Sequence, residues 1–358
     1  MLKAMTATLQ LSQLIRPGVL RTPAYPFEPA EVPVKLDQNE SPYDFPPELK
    51  QIALERLAAL PWNRYPDLHA DQLRAAIARR EGWDPAGVVV TAGSNALIAH
   101  LVALLRAGST VLTVRPNFSL YALDATLLEA ELREVPLEPD FSLPFQQLRA
   151  ELRGSPGLLI LTQPHAPTGF LDRPEQVALL IEEASGWITV LDEAYCEFSA
   201  SDYRSLVAGH PDRVLLRTFS KAWGLAGLRL GYALTAPSTA EQLQKLVPAF
   251  NVNALTAAAA GVALEYPEYL TRRVQEATRE RERVYNALRH HRSWTVYPSS
   301  ANFLLVRTPD AAAAAAGLQR AGIRVRRQDR DPMLAGCIRI SVGSPAENDT
   351  LIAAVSRL

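Results

Sequence analysis

The interpretation of this sequence depends on one stretch, Thr218-Phe219-Ser220-Lys221-Ala222-Trp223-Gly224-Leu225-Ala226-Gly227-Leu228-Arg229-Leu230-Gly231-Tyr232. It follows an apolar run, Val214 to Leu216, which predicts a buried strand. Lys221 therefore comes just after a strand end, where burial disfavours the ammonium and favours a neutral amine that can form a Schiff base. Two hydroxyls and a cation nearby suit a phosphate group, and they belong to Thr218, Ser220 and Arg229. On this stretch alone, a surface loop with a solvated lysine is an equal alternative.

The motif S-K-A-x-G-L-A-G-L-R-x-G-Y resembles the lysine segment of the fold-type-I pyridoxal-phosphate aminotransferases, most closely the histidinol-phosphate aminotransferase branch. The resemblance continues in order over nearly the whole chain, from about Tyr25 to Gly343. It implies an α/β fold, with a large domain built on a mostly parallel sheet flanked by helices and a smaller α+β domain. It also implies that pyridoxal 5'-phosphate is the cofactor, that Lys221 binds it as a Schiff base, and that the enzyme is a homodimer.

Composition and charge are those of an ordinary soluble enzyme. The chain has 358 residues, 48% of them apolar and 21% charged, which is enough to bury a large core. Its net charge of -1 favours neither a nucleic acid nor a membrane surface as partner. With two cysteines, Cys196 and Cys337, it shows no disulfide framework and no metal cluster. The first 20 residues lack the apolar core of a signal peptide, so we expect a cytoplasmic protein.

Three regions can be distinguished along the chain. Residues 1–35 contain many prolines and little periodicity, which predicts an N-terminal arm. From 36 to 247, apolar strands alternate with helical stretches, which predicts a large cofactor-binding domain with a parallel sheet covered on both faces. No G-x-G-x-x-G follows the first strand, so a dinucleotide-binding fold is disfavoured. Residues 248–358 predict a small α+β domain, joined by part of the arm.

A glycine turn precedes the first apolar helix of the large domain. Gly93, Ser94 and Asn95 connect the predicted strand Val88 to Thr91 to that helix, whose free N–H groups and positive dipole end suit a phosphate. The signal is weak alone, but together with Lys221 it predicts the site of the cofactor phosphate. In the resembling family, the tyrosine of the R-Y-P motif, here Tyr65, reaches the phosphate from the neighbouring subunit. The alternative is an ordinary packed tyrosine.

A second polar group follows the apolar strand Trp187 to Leu191, in the motif D-E-A-Y. A carboxylate at a buried strand end needs a cationic partner, and a protonated pyridine nitrogen would be one for Asp192. Tyr195 would then donate to the ring oxygen O3′. A helix cap is the structural alternative for Asp192. Phe118 is the residue that, by resemblance, stacks on the cofactor ring, although an aromatic residue after a strand more often belongs to the core.

Two arginines near the C-terminus are candidates for substrate binding. Arg339 lies inside the apolar run Ile338 to Val342, where a guanidinium requires an anion. By resemblance, Arg326 and Arg339 bind the distal phosphate of the donor and the carboxylates of glutamate, whereas a structural ion pair is the alternative. Tyr25 corresponds to a substrate-contacting tyrosine of the arm.

The sequence departs from the family at one motif. The pattern P-N-N-P-T-G appears here as Pro164-His165-Ala166-Pro167-Thr168-Gly169, so Ala166 replaces the asparagine that normally donates to O3′. His165, Gln163 and an ordered water molecule are the candidates to fill this gap, and the sequence does not distinguish between them. The departure puts the activity level and the substrate in question more than it does cofactor binding.

The reaction implied by the resemblance is transamination between L-histidinol phosphate and 2-oxoglutarate, which gives imidazole acetol phosphate and L-glutamate in histidine biosynthesis. Aromatic amino acids are the nearest alternative donors. A related decarboxylase of a phosphorylated amino acid would share every cofactor residue. A non-catalytic cofactor-binding or regulatory protein is the hypothesis from another class; Ala166 favours it slightly, and the intact Lys221, Asp192 and Arg339 oppose it.

Overall fold

The computed structural model describes residues 12–24, 31–199 and 201–358. Within these residues, the strands form one seven-stranded and one five-stranded sheet. The strands are β1 (Val34–Leu36), β2 (Val88–Thr91), β3 (Thr110–Arg115), β4 (Glu131–Pro136), β5 (Leu158–Thr162), β6 (Ile188–Asp192), β7 (Arg213–Thr218), β8 (Gly231–Thr235), β9 (Thr295–Val296), β10 (Phe303–Arg307), β11 (Ile323–Arg327) and β12 (Cys337–Ser341).

The α-helices that the structure describes in full lie between and after these strands. Several begin at a proline, whose fixed φ suits the first turn of a helix, and the last one has a capping box formed by Ser344 and Glu347. The helices are Pro17–Arg21, Pro47–Ala58, Asp71–Glu81, Ser94–Leu104, Ser119–Leu127, Phe145–Leu152, Pro174–Glu183, Arg204–Val207, Pro237–Gln244, Ala254–Glu265, Glu268–Leu288, Ala311–Arg320 and Pro345–Val355.

The large sheet has the strand order β2-β8-β7-β6-β5-β3-β4. Its strands from β3 to β7 run parallel to their neighbours, and β8 runs antiparallel to both β2 and β7. Side chains alternate between two cores: Leu159 and Leu161 of β5 enter one, and Ile160 enters the other. Helices supply the rest of both cores, so the predicted mostly parallel sheet flanked by helices is confirmed.

The small sheet has the order β1-β11-β12-β10-β9. Its β1 comes from the N-terminal part of the chain and pairs in parallel with β11. One face of this sheet is apolar and packs with the helices into a separate core. Lys35 pairs with Arg324, and Arg326 pairs with Arg339. Arg324 and Arg326 are two residues apart on β11, and side chains alternate between the two faces of a strand, so all four cations lie on the other face. We call these the cationic face: Lys35, Arg324, Arg326 and Arg339.

The residues after 248 pack against both sheet units. Helix Ala254–Glu265 contacts the helices Pro47–Ala58 and Asp71–Glu81, which precede the large sheet. Helix Glu268–Leu288 contacts the terminal helix Pro345–Val355 on the side of the small sheet. Helix contacts therefore do not define a single boundary, and the division at residue 248 stays a prediction.

A buried ionic network joins the helix Asp71–Glu81 to the strand ends of the large sheet. Arg217 of β7 donates from Nε to Glu193 Oε2 over 2.8 Å and from Nη1 to Glu81 Oε2 over 2.5 Å. Tyr232 donates to the other oxygen of Glu81 over 2.7 Å. The backbone N–H of Tyr203 donates to Glu193 Oε1 over 3.0 Å. This network holds the residue next to Asp192 and the strand that leads to Lys221.

Replacement of Arg217 by alanine should destabilise the protein strongly. Glu193 would remain buried without a cation, and Glu81 would keep only Arg204, whose Nη1 lies 3.3 Å from its Oε2, so the loss of unfolding free energy should be about 3–5 kcal/mol. Urea denaturation measures the difference. The control is Arg106→Ala, which removes an exposed arginine and should change the unfolding free energy by less than about 0.5 kcal/mol. Equal midpoints for the two variants would show that the network contributes nothing to stability.

Candidate active site

Polar residues end three neighbouring parallel strands of the large sheet. Thr162 is the last residue of β5, Asp192 of β6 and Thr218 of β7, and Thr162 is directly opposite Asp192 in the register. Ligands of open α/β sheets bind at the carboxyl ends of the strands. The order of the strands therefore brings residues together that are far apart in the sequence.

Lys221 lies three residues beyond the end of β7, with its side chain half-buried. Its Nζ donates to the backbone carbonyl of Gln38 over 2.9 Å and lies 5.9 Å from the ring centre of Tyr195. Burial, followed by the positive charge of Arg339, lowers the pKa of Lys221 to about 7, against the opposing effect of Glu40. A large fraction of this amine is therefore neutral at physiological pH, which a base or a nucleophile requires.

Asp192 is 4% exposed, and its carboxylate is held by two donors. The Tyr121 hydroxyl donates to Oδ2 over 2.8 Å, and the Ala194 backbone N–H donates to Oδ1 over 3.0 Å. Burial raises the pKa of Asp192, while these two hydrogen bonds and the charge of Lys221 lower it. No side-chain cation is bonded to this carboxylate within the described residues, so a cation bound next to it would stabilise its charged form.

Two aromatic residues lie at the start of one helix, and one of them contacts Asp192. Phe118 precedes the helix Ser119–Leu127, and its ring lies edge-on against that of Tyr121, with centres 5.7 Å apart. The Tyr121 hydroxyl also lies 2.9 Å from Thr162 Oγ1. The sequence interpretation missed Tyr121 and Thr162. Their signal was present: Tyr121 comes one helical turn after Phe118, and Thr162 is the polar end of an apolar strand.

The glycine turn and the arginine of the lysine segment lie next to each other. A Cβ at Gly93 would be 2.5 Å from Arg229 Nη2, and a Cβ at Gly231 would be 2.1 Å from the backbone nitrogen of Ser94. Gly93 also has φ +91°, which strongly favours glycine. Arg229 Nη1 donates to Ser220 Oγ over 3.3 Å. This arrangement brings N–H, hydroxyl and guanidinium donors close together, and such donors suit a phosphate.

The remaining residues of the predicted phosphate site differ in exposure. Thr218 is buried, and its Oγ1 accepts from the backbone N–H of Ser220 over 3.1 Å, so it shapes the turn before Lys221. Asn95 is exposed at the first turn of its helix. Their direct contact with a phosphate stays a prediction.

The cationic face contains one buried carboxylate. Asp37 is 1% exposed, and its two oxygens lie 2.9 Å from Arg324 Nε and 3.2 Å from Lys35 Nζ. Its backbone carbonyl accepts from Arg339 Nη2 over 3.0 Å. Arg339 also lies over the ring of Phe303, 5.4 Å from its centre. The sequence singled out Arg326 and Arg339, and missed Lys35 and Arg324 because strand register is needed to place them.

Tyr65 and Tyr25 are the predicted residues that the described site does not include. Tyr65 is 81% exposed and stacks on Phe250 of the same chain, with ring centres 4.5 Å apart. Its contact with a neighbouring subunit stays a prediction. Tyr25 lies outside the described residues.

The residues considered as substitutes for the missing asparagine have other contacts. Gln163 donates from Nε2 to Asp172 Oδ2 over 2.8 Å and accepts from the Asp172 backbone N–H. His165 Nδ1 lies 2.8 Å from Thr168 Oγ1, and burial lowers the pKa of His165 to about 3, so the ring is neutral. Ala166 is buried at the end of this segment. Gln163 is therefore not free to replace the amide.

Two negative observations concern the described part of the chain. None of its helices has the length and apolar character needed to cross a bilayer. The described residues also contain no group of three or more His, Cys, Asp or Glu side chains arranged to hold a metal ion.

Comparison with known proteins decides the family. The profile of the family described as aminotransferase class I and II matches residues 31–355. Histidinol-phosphate aminotransferase of Deinococcus radiodurans is 58% identical over 347 residues, which cover 96% of each chain. The chain belongs to the histidinol-phosphate aminotransferase branch of this family. It is an enzyme that transfers amino groups, and the fold-type-I prediction is confirmed.

Two further aminotransferases extend the comparison. Histidinol-phosphate aminotransferase of Thermococcus kodakarensis is 39% identical over 320 residues, which cover 89% of this chain and 91% of the relative. The crystal structure of histidinol-phosphate aminotransferase from Sinorhizobium meliloti in complex with pyridoxal-5'-phosphate superposes with a TM-score of 0.86 at 29% identity. That alignment covers 95% of this chain and 96% of the solved one, so the whole fold is shared.

The unusual pKa of Lys221 can be measured directly. Competitive acetylation of the cofactor-free protein over a range of pH, followed by peptide mass spectrometry, should show the reactivity of Lys221 rising through a midpoint near 7 instead of the ordinary value of about 10.4. The exposed Lys245 serves as the internal reference in the same digest. In Arg339→Ala, the midpoint of Lys221 should move up, because a neighbouring positive charge has been removed. A midpoint that Arg339→Ala leaves unchanged would contradict the electrostatic part of this explanation.

Proposed function

We propose that this aminotransferase transfers the amino group of L-histidinol phosphate to 2-oxoglutarate with pyridoxal 5'-phosphate as its cofactor. The observation that carries the proposal is the convergence of Lys221, Asp192 and Tyr195 with the phosphate-binding turn at one edge of the sheet. The identity of the donor is supported by 58% identity over nearly the full length to a histidinol-phosphate aminotransferase. Cytoplasmic histidine biosynthesis is the setting that this reaction implies.

The residues present fit the cofactor. Its phosphate would be held by Gly93, Ser94, Ser220 and Arg229, which lie close together with N–H, hydroxyl and guanidinium donors. Its pyridine nitrogen, when protonated, would supply the cation that the buried Asp192 lacks. When bound, pyridoxal phosphate supplies an electron sink for negative charge at the substrate Cα.

Tyr195 and Phe118 would contact the ring of the cofactor. Tyr195 is buried three residues after Asp192, and the centre of its ring lies 5.9 Å from Lys221 Nζ, so its hydroxyl would donate to the ring oxygen O3′. Phe118 offers a half-buried aromatic face beside Tyr121. Together these residues would fix the plane of the ring and keep water from its polar edge.

Lys221 would act as both the attachment point and the general base. A pKa near 7 leaves the amine able to accept a proton from the substrate Cα and to release it again within the same site. Burial and the charge of Arg339 provide this pKa, so the substrate-binding arginine and the base are coupled electrostatically.

The cationic face would bind both substrates. The donor carries a phosphate at its distal end and the acceptor carries two carboxylates, and guanidinium groups bind either anion bidentately. Arg326 of β11 and Arg339 of β12 are directly paired, so their two guanidinium groups would bind the same anion. Arg324 and Lys35 extend the positive charge along the sheet, with Asp37 between them.

A second copy of the chain would complete the site. Trp62 and Tyr65 are 76% and 81% exposed, which is unusual for aromatic residues so close together. The proposal is a homodimer in which this segment lies against the partner and Tyr65 reaches the partner's cofactor phosphate. The arm residue Tyr25 is proposed to contact the substrate.

Lys221→Ala tests the role of the base. The variant should lose at least about a hundredfold in kcat for amino transfer from L-histidinol phosphate to 2-oxoglutarate, since proton transfer by a placed base contributes about 10²–10⁴. It should still bind pyridoxal phosphate non-covalently, which dialysis and absorbance can measure. Lys245→Ala is the control and should match the unmodified enzyme. Product analysis in the same assay separates transamination from decarboxylation, and a full rate in Lys221→Ala would exclude Lys221 as the base.

Arg339→Ala tests whether one arginine serves both half reactions. Loss of a charge-assisted hydrogen bond of about 1.5–3 kcal/mol should raise KM for the donor and for 2-oxoglutarate by roughly ten- to a hundredfold each. Arg339→Lys should recover part of this, because it restores the charge without the fork. Arg330→Ala, an exposed arginine of the same sheet region, is the control. If only one of the two KM values rises, the shared anion site is refuted.

A further inference from the structure

Three consecutive residues contact three functional side chains. The carbonyl of Asp37 accepts from Arg339, and the carbonyl of Gln38 accepts from Lys221. The side chain of Asn39 donates from Nδ2 to the Tyr195 hydroxyl over 2.9 Å. The segment 37–39 therefore passes between the small sheet and the strand ends of the large sheet, and it contacts the substrate arginine, the base and the phenol in turn.

Asn39 is held in place by burial, by its backbone conformation and by hydrogen bonds. It is 1% exposed and has φ 55°, a left-handed conformation that asparagine tolerates better than most residues. Its backbone N–H donates to Ser341 Oγ over 2.8 Å, and its carbonyl accepts from Asn302 Nδ2 over 3.0 Å. Both partners belong to the C-terminal half of the chain, so the orientation of the Asn39 amide is determined by the small sheet.

The hydrogen bonds of Ser341 decide which end of the Asn39 amide faces Tyr195. The Ser341 oxygen accepts the backbone N–H of Asn39, and its single proton is donated to Asn39 Oδ1 over 3.0 Å. The amide oxygen is thereby occupied, and the NH₂ group points to the phenol. Because Nδ2 can only donate, the Tyr195 oxygen is the acceptor, and its own proton remains available for another acceptor.

We propose that Asn39 is a positioning residue that makes Tyr195 a hydrogen-bond donor to the cofactor O3′ and thereby replaces the function of the asparagine missing at Ala166. This inference rests on the proposed function. The relay runs from Ser341 through the Asn39 amide to the Tyr195 hydroxyl, and each bond polarises the next. A phenol that already accepts one strong hydrogen bond is a better donor through its own proton. In this chain Tyr195 would be the single donor to O3′, strengthened by Asn39. By the resemblance, relatives that keep the asparagine have its amide as a second donor to O3′.

Several neighbouring groups affect the pKa of the Tyr195 hydroxyl. Burial raises the pKa of the Tyr195 phenol, Asp192 also raises it, and Arg339 and the Asn39 amide lower it. The Asn39 contribution is the one that a neutral substitution removes without changing the charge of the site. This makes the phenol itself a reporter for the inference.

The first experiment follows the phenol in the full-length protein without cofactor. Tyrosines are labelled with 3-fluorotyrosine, and ¹⁹F NMR is recorded over a range of pH, with the Tyr195 signal assigned by its absence in Tyr195→Phe. Asn39→Gly keeps the left-handed backbone and should raise the Tyr195 pKa by about 1 or more, because a donor to the phenolate is lost. Ala166→Gly is the control and should leave the pKa of Tyr195 unchanged. An unchanged Tyr195 pKa in Asn39→Gly overturns the inference whatever the enzyme catalyses.

The second experiment compares kcat of two Asn39 variants in the enzyme loaded with pyridoxal phosphate. Asn39→Asp keeps the shape and the backbone conformation but turns the donor into an acceptor, which takes the Tyr195 proton away from O3′. We expect kcat to fall about tenfold in Asn39→Gly and further in Asn39→Asp, with KM for the donor changed less than twofold in Asn39→Gly. A purely structural role predicts the reverse order, because aspartate fits the space better than glycine.

A double-variant cycle completes the test. In the Tyr195→Phe background, Asn39→Gly should have no further effect on kcat, because the group it positions is absent. A full additional loss in the double variant would overturn the inference while leaving amino transfer itself established. If no variant and no unmodified enzyme transfers an amino group, the proposed function fails, and the phenol titration still decides the contact between Asn39 and Tyr195.

Discussion

The rest of the site depends on the partial burial of one amine. Lys221 lies beyond the end of β7 between Tyr195 and the segment 37–39, where few water molecules can solvate an ammonium. Burial and the nearby Arg339 keep its pKa near 7, well below that of the unfolded chain. Between these two pKa values folding releases a proton, so this group makes the protein less stable near neutral pH, and the loss diminishes as pH rises towards 10. The protein therefore needs stabilising contacts around a site that is itself unfavourable, and the buried network of Arg217 with Glu81 and Glu193 supplies them next to the same strand ends.

The two sheets have different roles in this arrangement. The large sheet presents the base, the carboxylate and the phosphate-binding turn at its carboxyl edge, whereas the small sheet presents the cationic face and orients Asn39 through Ser341. The segment 37–39 is the covalent link at which these two sets of groups meet. A change in the small sheet can therefore alter the hydrogen bonding of the Tyr195 hydroxyl without changing a residue that would contact the cofactor. In this way the small sheet can compensate for Ala166.

Local patterns were sufficient to predict the parallel sheet, and together with the resemblance to the family they singled out Lys221, Asp192 and the glycine turn. These residues lie at or shortly after the ends of apolar strands, and the order of strands in the sheet brings the ends together. Asn39 was not predicted, because its partner Ser341 lies 302 positions away and the contact depends on a left-handed backbone angle. Lys35 and Arg324 were missed for a related reason: their shared face follows from the pairing of β1 with β11, which no local pattern specifies. Ala166 was recognised as a departure, but its compensation required the geometry.

The most direct test of the central claim is chemical identification of the lysine that binds the cofactor. The protein is incubated with pyridoxal phosphate, reduced with sodium borohydride, digested and analysed by mass spectrometry. The neutral amine of Lys221 beside the phosphate-binding turn predicts that the reduced cofactor is found on the peptide containing Lys221, in a stoichiometric amount. Stoichiometric modification of Lys35, Lys50 or Lys245 with an unmodified Lys221 would contradict the account.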